Sequence, residues 1–442
     1  MNKKRHGLNV MVLLIVCFQL QAQQVNITTS ADDASLLRRS EKALTRIIVH
    51  DIFSPPVASR IYLYASIAAY EATVPSQKKY TSLSESIPSF PAMNIQTREA
   101  INYRLASVYA FLKVAQRFVF SEKMIEDSLN AILKGFKKLK PAVYKNSIAV
   151  GQTVTDSVLK WAEKDNYRDT RKLRRYNIIK KDGKWLPTPP GYIAAVEPYW
   201  YKMRTIVLDS AAEYRPVPPP EFSTDKQSEF YKQAYEVYET GNSLTAEQRA
   251  IAAFWDCNPF FLNTQGHLNF ATKKLSPGGH WMSIAGIAAV KSKADLMTTA
   301  AAYMFTAIAF YDGFISCWDE KFRSNLIRPE TFINSHINEK WRPVLQTPPF
   351  PEYTSGHSVI STAAATVLTH FFGEFFQFDD VTEMDFGLPM RAYPSFITAS
   401  KEAAISRMYG GIHYRAAIEV GQLQGSLIGK KVINKIRLRR AL

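Results

Sequence analysis

The sequence predicts an all-α protein made of helical bundles, with its chemistry at helix ends in the C-terminal bundle. Three observations predict it. Apolar residues recur at spacings of three or four along most of the chain. Strand-like alternation is scarce. The stretch from Ala294 to Ser316 is nearly continuous Ala, Met, Phe, Tyr and Ile, the composition of a helix buried on most sides. With 442 residues a sizeable core is available, as two domains or as one large helical domain of two bundles.

The first element is a leader. Lys3, Lys4 and Arg5 precede an apolar run from Val10 to Phe18 and then Leu20-Gln21-Ala22, the order of a secretory signal with cleavage after Ala22. An uncleaved anchor is disfavoured because the run is too short to span a bilayer. Lipoprotein processing at Cys17 is disfavoured because Val16 is large for that site. The mature chain is therefore expected to be exported, periplasmic or secreted, with no integral membrane span. Removing residues 1–22 takes away three basic and no acidic side chains, which lowers the formal charge from +16 to +13. Basic runs such as Arg171-Lys172-Leu173-Arg174-Arg175 read as solvated surface that attracts anions over distance, and no nucleic-acid-binding module accompanies them. Cys257 and Cys317 remain after cleavage, either as one disulfide or as two buried thiols.

Residues 23–166 read as an N-terminal helical bundle. Ser35 to Asp51 and Val57 to Thr73 form two helices round the Ser54-Pro55-Pro56 corner, and further helices fit Thr97–Phe118, Ser121–Leu139 and Ala142–Glu163, with Ser121 as a cap. Residues 167–225 are an irregular connector rich in proline and aromatic residues, which packs as a belt round a bundle or as the wall of an entrance channel. Residues 226–442 form the C-terminal helical domain. Its helices fit Gln227–Thr240, Ala246–Trp255, Ala294–Ser316, Ser358–Phe372, Phe396–Tyr409 and Arg415–Ile436.

Three separated pieces of that domain suit one chemistry. Lys321 and Arg328-Pro329 lie in WDEKFRSNLIRP, Ser355-Gly356-His357 in PPFPEYTSGHS, and Ser406-Arg407 with His413 in SRMYGGIH. Ser355-Gly356-His357 opens an apolar helix, where unpaired N–H groups and the helix dipole seat an anion. Lys321, Arg328 and Arg407 add fixed charge, the arginines as forks for two oxygens each. Such cations repel one another unless a tetrahedral oxyanion sits between them. His357 is placed to exchange a proton, and Gly410-Gly411 lets the chain turn so that His413 converges with Arg407. Any one piece alone is usually structural. His50, His267, His336 and His370 lack such company, and His280 in Ser-Pro-Gly-Gly-His-Trp reads as structural with a place beside the cleft.

Lys, six residues, Arg-Pro; Ser-Gly-His; and Ser-Arg, five residues, His resembles the three-part signature of type 2 phosphatidic acid phosphatases, bacterial class A acid phosphatases and vanadium-dependent haloperoxidases. The bacterial haloperoxidase-like proteins are the nearest, with DIFSPPVASR and FWDCNPF resembling their N-terminal half. The resemblance implies that Lys321, Arg328, Ser355, Gly356 and Arg407 hold the oxyanion and that His357 is the acid–base residue. His413 is then the vanadate ligand or, in the phosphatase alternative, the phosphohistidine nucleophile. Trp318 and Phe350 resemble the aromatic residues bordering the halide site of chloroperoxidases. On this reading the cofactor is vanadate and the substrates are hydrogen peroxide and halide, with Lys321 polarising the bound peroxide; on the alternative the substrate is a phosphate ester. A non-catalytic oxyanion-binding helical protein is the third reading. Two positions depart from the pattern. Thr354 stands where proline is common, and Ala417 stands where an acid four residues after the last histidine orients the imidazole, with Glu419 as its nearest substitute.

Overall fold

The computed structural model describes residues 33–78, 80–95, 100–259, 261–265, 268–271 and 273–438; the leader and His267 lie outside them. The chain opens with α1 (Ser35–His50), whose Leu36, Leu37, Leu44, Ile47 and Ile48 face inward. Ser54 then caps α2 (Pro55–Thr73) by accepting from Val57 N, and prolines fill the first positions of that helix, where no N–H is needed. Every side chain of α2 is buried. α3 (Tyr103–Gln116), α4 (Glu122–Gly135) and α5 (Pro141–Ala162) complete the first group. Ser121 does not cap α4 with its side chain. Its hydroxyl donates to Asp51 instead, and Asp51 also accepts from the N–H groups of Phe120 and Ser121.

The connector holds only the single turn α6 (Tyr167–Thr170) and a 3-10 turn at Trp200–Lys202. It is strapped to the helices after it. Trp185 N donates to Asn325 O, Val196 N to Pro349 O, and the buried Asp312 carboxylate accepts from Ile206, Val207 and Leu208 N. Such a carboxylate satisfies three backbone donors that would otherwise be buried without partners.

After the connector come α7 (Glu229–Asn242) and α8 (Ala246–Phe254), the latter started by a Thr245/Gln248 capping box. A hairpin of β1 (Leu262–Gln265) and β2 (Leu268–Ala271) follows, then α9 (Pro277–Lys291) and α10 (Leu296–Ser324). α11 (Pro329–His336) and α12 (Gly356–Phe372) flank the long loop that carries Phe350 and Glu352. β3 (Phe378–Asp380) pairs antiparallel with β4 (Arg391–Tyr393) before α13 (Phe396–Tyr409) and α14 (Arg415–Lys435) close the fold. The architecture is all-α apart from these two small hairpins.

α10 is the axis of the molecule. Among the described residues it is the helix long and apolar enough to cross a membrane, yet its apolar window is wholly buried, as in a core helix. It packs on α2 on one side and on α12 and α14 on others, so one continuous apolar cluster reaches from Leu36 to Ile436. α12 and α14 lie close because Gly421, Gly425 and Gly429 recur every fourth residue along the α14 face that meets α12.

Candidate active site

Lys321 lies in the last turn of α10, and Arg328 is the residue just before α11. Between them Asn325 takes a left-handed conformation that ends α10, and the chain reverses so that both cations reach the same loop, residues 350–355. Lys321 Nζ, fully buried, donates to the carbonyls of Pro351 (3.0 Å), Glu352 (3.0 Å) and Thr354 (2.6 Å). An ammonium has three N–H groups, so all are taken, and an incoming oxyanion would have to displace one carbonyl. Burial lowers the Lys321 pKa to about 7. Arg328 donates Nε to Phe350 O (2.9 Å) and Nη1 to Ile412 O (2.8 Å), while its buried Nη2 has no partner.

Ser355 caps α12 by accepting from Ser358 N, which leaves its own O–H free to donate. Gly356 is the first helical residue, and a Cβ placed on it would meet nothing closer than Trp318 at 3.8 Å. The missing side chain therefore leaves open space at the helix N-terminus. His357 hydrogen-bonds the Trp255 carbonyl, and its shielded Nε2 has no partner. The same carbonyl accepts from Arg407 Nη2 (2.6 Å), so one backbone oxygen orients two site residues.

Gly411, at a φ of +73°, turns the chain after α13 and brings Ile412 and His413 beside Arg328. Arg328 Nη1 lies 3.2 Å from His413 Nε2. A guanidinium only donates, so Nε2 is the bare nitrogen and the ring proton sits on Nδ1. Nδ1 in turn donates to Glu352 Oε1 at 2.7 Å, and the same oxygen accepts from Tyr414 N at 2.9 Å. Burial, then Arg328 and the other cations, hold His413 well below the usual histidine range; burial and Arg407 do the same for His357. Burial lifts Glu352 to about 7.

A cavity of about 40 Å³ sits among these groups, lined by Trp318, Phe350, Gly356, His357, Arg407 and His413, with Pro55 from α2 and Cys257 on its wall. The Trp318 and Phe350 rings meet at 4.9 Å. Lys321, Arg328 and Ser355 do not line it, although Lys321 Nζ and Arg328 Cζ each lie 5.1 Å from the Phe350 ring that does. The residues fit a small tetrahedral oxyanion such as vanadate. Arg328 Nη2 and His357 Nε2 are donors or acceptors buried without partners, as is Glu352 Oε2; the buried cations Lys321, Arg328 and Arg407 converge here with the buried carboxylates of Glu352 and Asp256, and a Cβ on Gly356 would find room at the helix N-terminus.

The structure adds to the sequence reading at several positions and corrects it at others. Glu352, not Glu419, takes the place left by Ala417: Glu419 is 62% exposed and pairs with Arg415, whereas Ala417 gives its carbonyl to Ser355 N. Trp255 acts through a backbone oxygen, which no side-chain pattern reveals. Cys257 and Cys317 are both free and buried. His280 does not line the cavity; it is bound by Asp380 and Glu383 behind Trp255. Thr354, in the usual proline position, ties the loop to α14 and α10 by donating to Gln424, whose amide donates to Ser316.

A helical fold with buried cations and two histidines gathered at helix ends narrows the class, and comparisons with known proteins define the family. Residues 301–440 match the family described as VCPO second helical-bundle domain. A solved structure described as the first bacterial vanadium-dependent iodoperoxidase is 48% identical, with a TM-score of 0.87 over 92% of this chain and 97% of that one. Holo and apo bacterial vanadium-dependent chloroperoxidases share the fold, at 16% identity with TM-scores of 0.66 and 0.64, covering 87% and 86% of this chain and 93% and 94% of theirs. No curated protein matches. The chain belongs to the vanadium-dependent haloperoxidases, a family of oxidoreductases.

Proposed function

We propose that this protein is a vanadate-dependent haloperoxidase that oxidises halide, iodide first, with hydrogen peroxide to hypohalous acid. The observation that carries the reading is His413, whose bare Nε2 lies on the cavity wall beside Arg328 and whose Nδ1–H is backed by a buried carboxylate. That is the arrangement a metal-ligating histidine needs. The 48% identity to an iodoperoxidase supports the choice of halide.

Lys321, Arg328, Ser355, Gly356 N–H and Arg407 would hold the oxygens of the oxyanion, with His413 Nε2 as the protein ligand. When bound, vanadate supplies a Lewis-acidic centre that activates peroxide towards halide. His357, neutral because it is buried among cations, takes a proton at Nε2 from the incoming peroxide. Lys321 gives up one carbonyl to place its charge on the oxyanion. Trp318 and Phe350 exclude water and border the position of the halide. Glu352 supports this reading over a non-catalytic pocket, since it supplies the acid whose usual position holds Ala417.

Vanadate-loaded protein should iodinate a phenol in peroxide and iodide. His413→Ala should lose that activity by at least a hundredfold and lose vanadate binding measured by equilibrium dialysis. No iodination by loaded wild type would overturn the proposal, and turnover of a generic phosphate ester by the vanadate-free protein would replace it with the phosphatase reading. Export is part of the same proposal. N-terminal sequencing of protein recovered from the periplasm or medium should begin at Gln23, and an intact Met1 in the cytoplasm would refute it.

A further inference from the structure

Behind Trp255 lies a second cluster that the oxyanion chemistry does not use. Cys257, just after α8, His280, in the first turn of α9, and Glu383, in the 3-10 turn after β3, bring one ligand atom each within 4.8 Å of one another, all three residues buried. His280 Nδ1 lies 3.6 Å from Cys257 Sγ and 3.2 Å from Glu383 Oε1.

Those two separations match two edges of a coordination tetrahedron. Zinc with ordinary bond lengths to sulfur, nitrogen and oxygen separates its S and N ligands by about 3.6 Å and its N and O ligands by about 3.3 Å. The far nitrogen is also prepared: His280 Nε2 lies 2.7 Å from the buried Asp380 carboxylate. A carboxylate on one nitrogen fixes the tautomer that presents the other as a ligand. Apolar rings close the surroundings, with Trp255 stacked on His280 at 4.5 Å and Phe254 edge-on at 5.5 Å. Cys257 also borders the active-site cavity.

We propose that Cys257, His280 and Glu383 form a zinc site that braces the fold, with Asp380 orienting the histidine and water in the fourth position. The mixed sulfur, nitrogen and oxygen set selects a borderline-soft cation over calcium or magnesium. Binding releases the thiol proton and the proton His280 Nδ1 shares with Glu383. The site would tie three distant segments together: the end of α8, the start of α9 and the turn leading to β4. Because Trp255 lies against His280, the metal would also fix the carbonyl that orients Arg407 and His357.

The test uses the full-length protein, stripped with a chelator and dialysed against Zn²⁺ or Co²⁺. About one equivalent per chain is expected, with a thiolate-to-cobalt charge-transfer band for the Co²⁺ form. His413→Ala should keep the metal, which separates this site from the oxyanion cradle. Cys257→Ser should abolish the band, and Glu383→Gln, the more conservative change, should weaken uptake by at least tenfold while the fold is retained. No stoichiometric uptake by folded wild type overturns the proposal. So does uptake that neither substitution alters, which would leave a purely hydrogen-bonded cluster.

Discussion

At the scale of the residue, the site depends on who holds His413. Glu352 lies 61 positions away in sequence and is nevertheless its direct partner. Glu352→Gln keeps an acceptor for Nδ1 but removes its charge, so vanadate affinity should fall about 10- to 100-fold with little change of fold; equilibrium dialysis measures it, and unaltered affinity would argue against the role. The same carboxyl has a pH signature. Its folded pKa of about 7 stands above its ordinary 4.5 because of burial. The folded state thus holds a proton that the unfolded state has lost, and stability from this group falls as pH rises from about 4.5 to about 7. In anion-free buffer, Glu352→Gln should flatten that part of the wild-type unfolding profile. The cations, Ser-Gly-His and His413 were legible because each sits in a short motif at a helix end. Glu352 and the Trp255 carbonyl were not, since one pairing is long-range and the other has no side-chain identity.

At the scale of the element, helix positions were readable where the apolar period was long, as in α12, α13 and α14. α9 is not legible in the sequence because it opens on Ser-Pro-Gly-Gly, residues that serve turns equally well; in the fold Ser276 caps it and Pro277 occupies its first position. Strands of three or four residues are too short to display a period of two, so both hairpins escaped notice. α10 runs past Ser316 to Ser324, which places Trp318 and Lys321 on one rigid helix rather than on a loop. The glycines of α14 set how closely α12 and its anion seat can approach. A Cβ on Gly425 would lie 2.2 Å from the Val359 carbonyl oxygen, a contact with backbone that cannot rotate away. Gly425→Ala should cost about 1–3 kcal/mol or more in chemical denaturation, and vanadate affinity should drop with it as α12 shifts. Gly373→Ala provides a contrast. No atom crowds its Cβ, so any penalty there comes from its φ of +101° alone.

At the scale of the molecule, the described residues from 33 to 438 belong to one compact unit in which α2 packs on α9 and α10. Tyr62 of α2 meets Phe310 of α10 edge-on at 6.0 Å, and Pro55 reaches the active-site cavity. A fragment of residues 226–442 should therefore expose the apolar face of α10. Dye binding and loss of near-UV circular dichroism would register this, whereas cooperative unfolding of the fragment would contradict it. The sequence pattern separated the helical halves at the connector because proline marks a break in periodicity, but periodicity carries no information on which buried faces meet.

The position of Glu352 has a consequence for finding relatives. In this chain the acid behind the terminal histidine lies in the segment that precedes Ser-Gly-His, and the position four residues after that histidine is alanine. A motif that requires an acid four residues after that histidine passes over such chains. A motif that accepts either that acid or a glutamate three residues before Ser-Gly-His would recover them, and would sort the family by which segment of the active-site scaffold carries the negative charge.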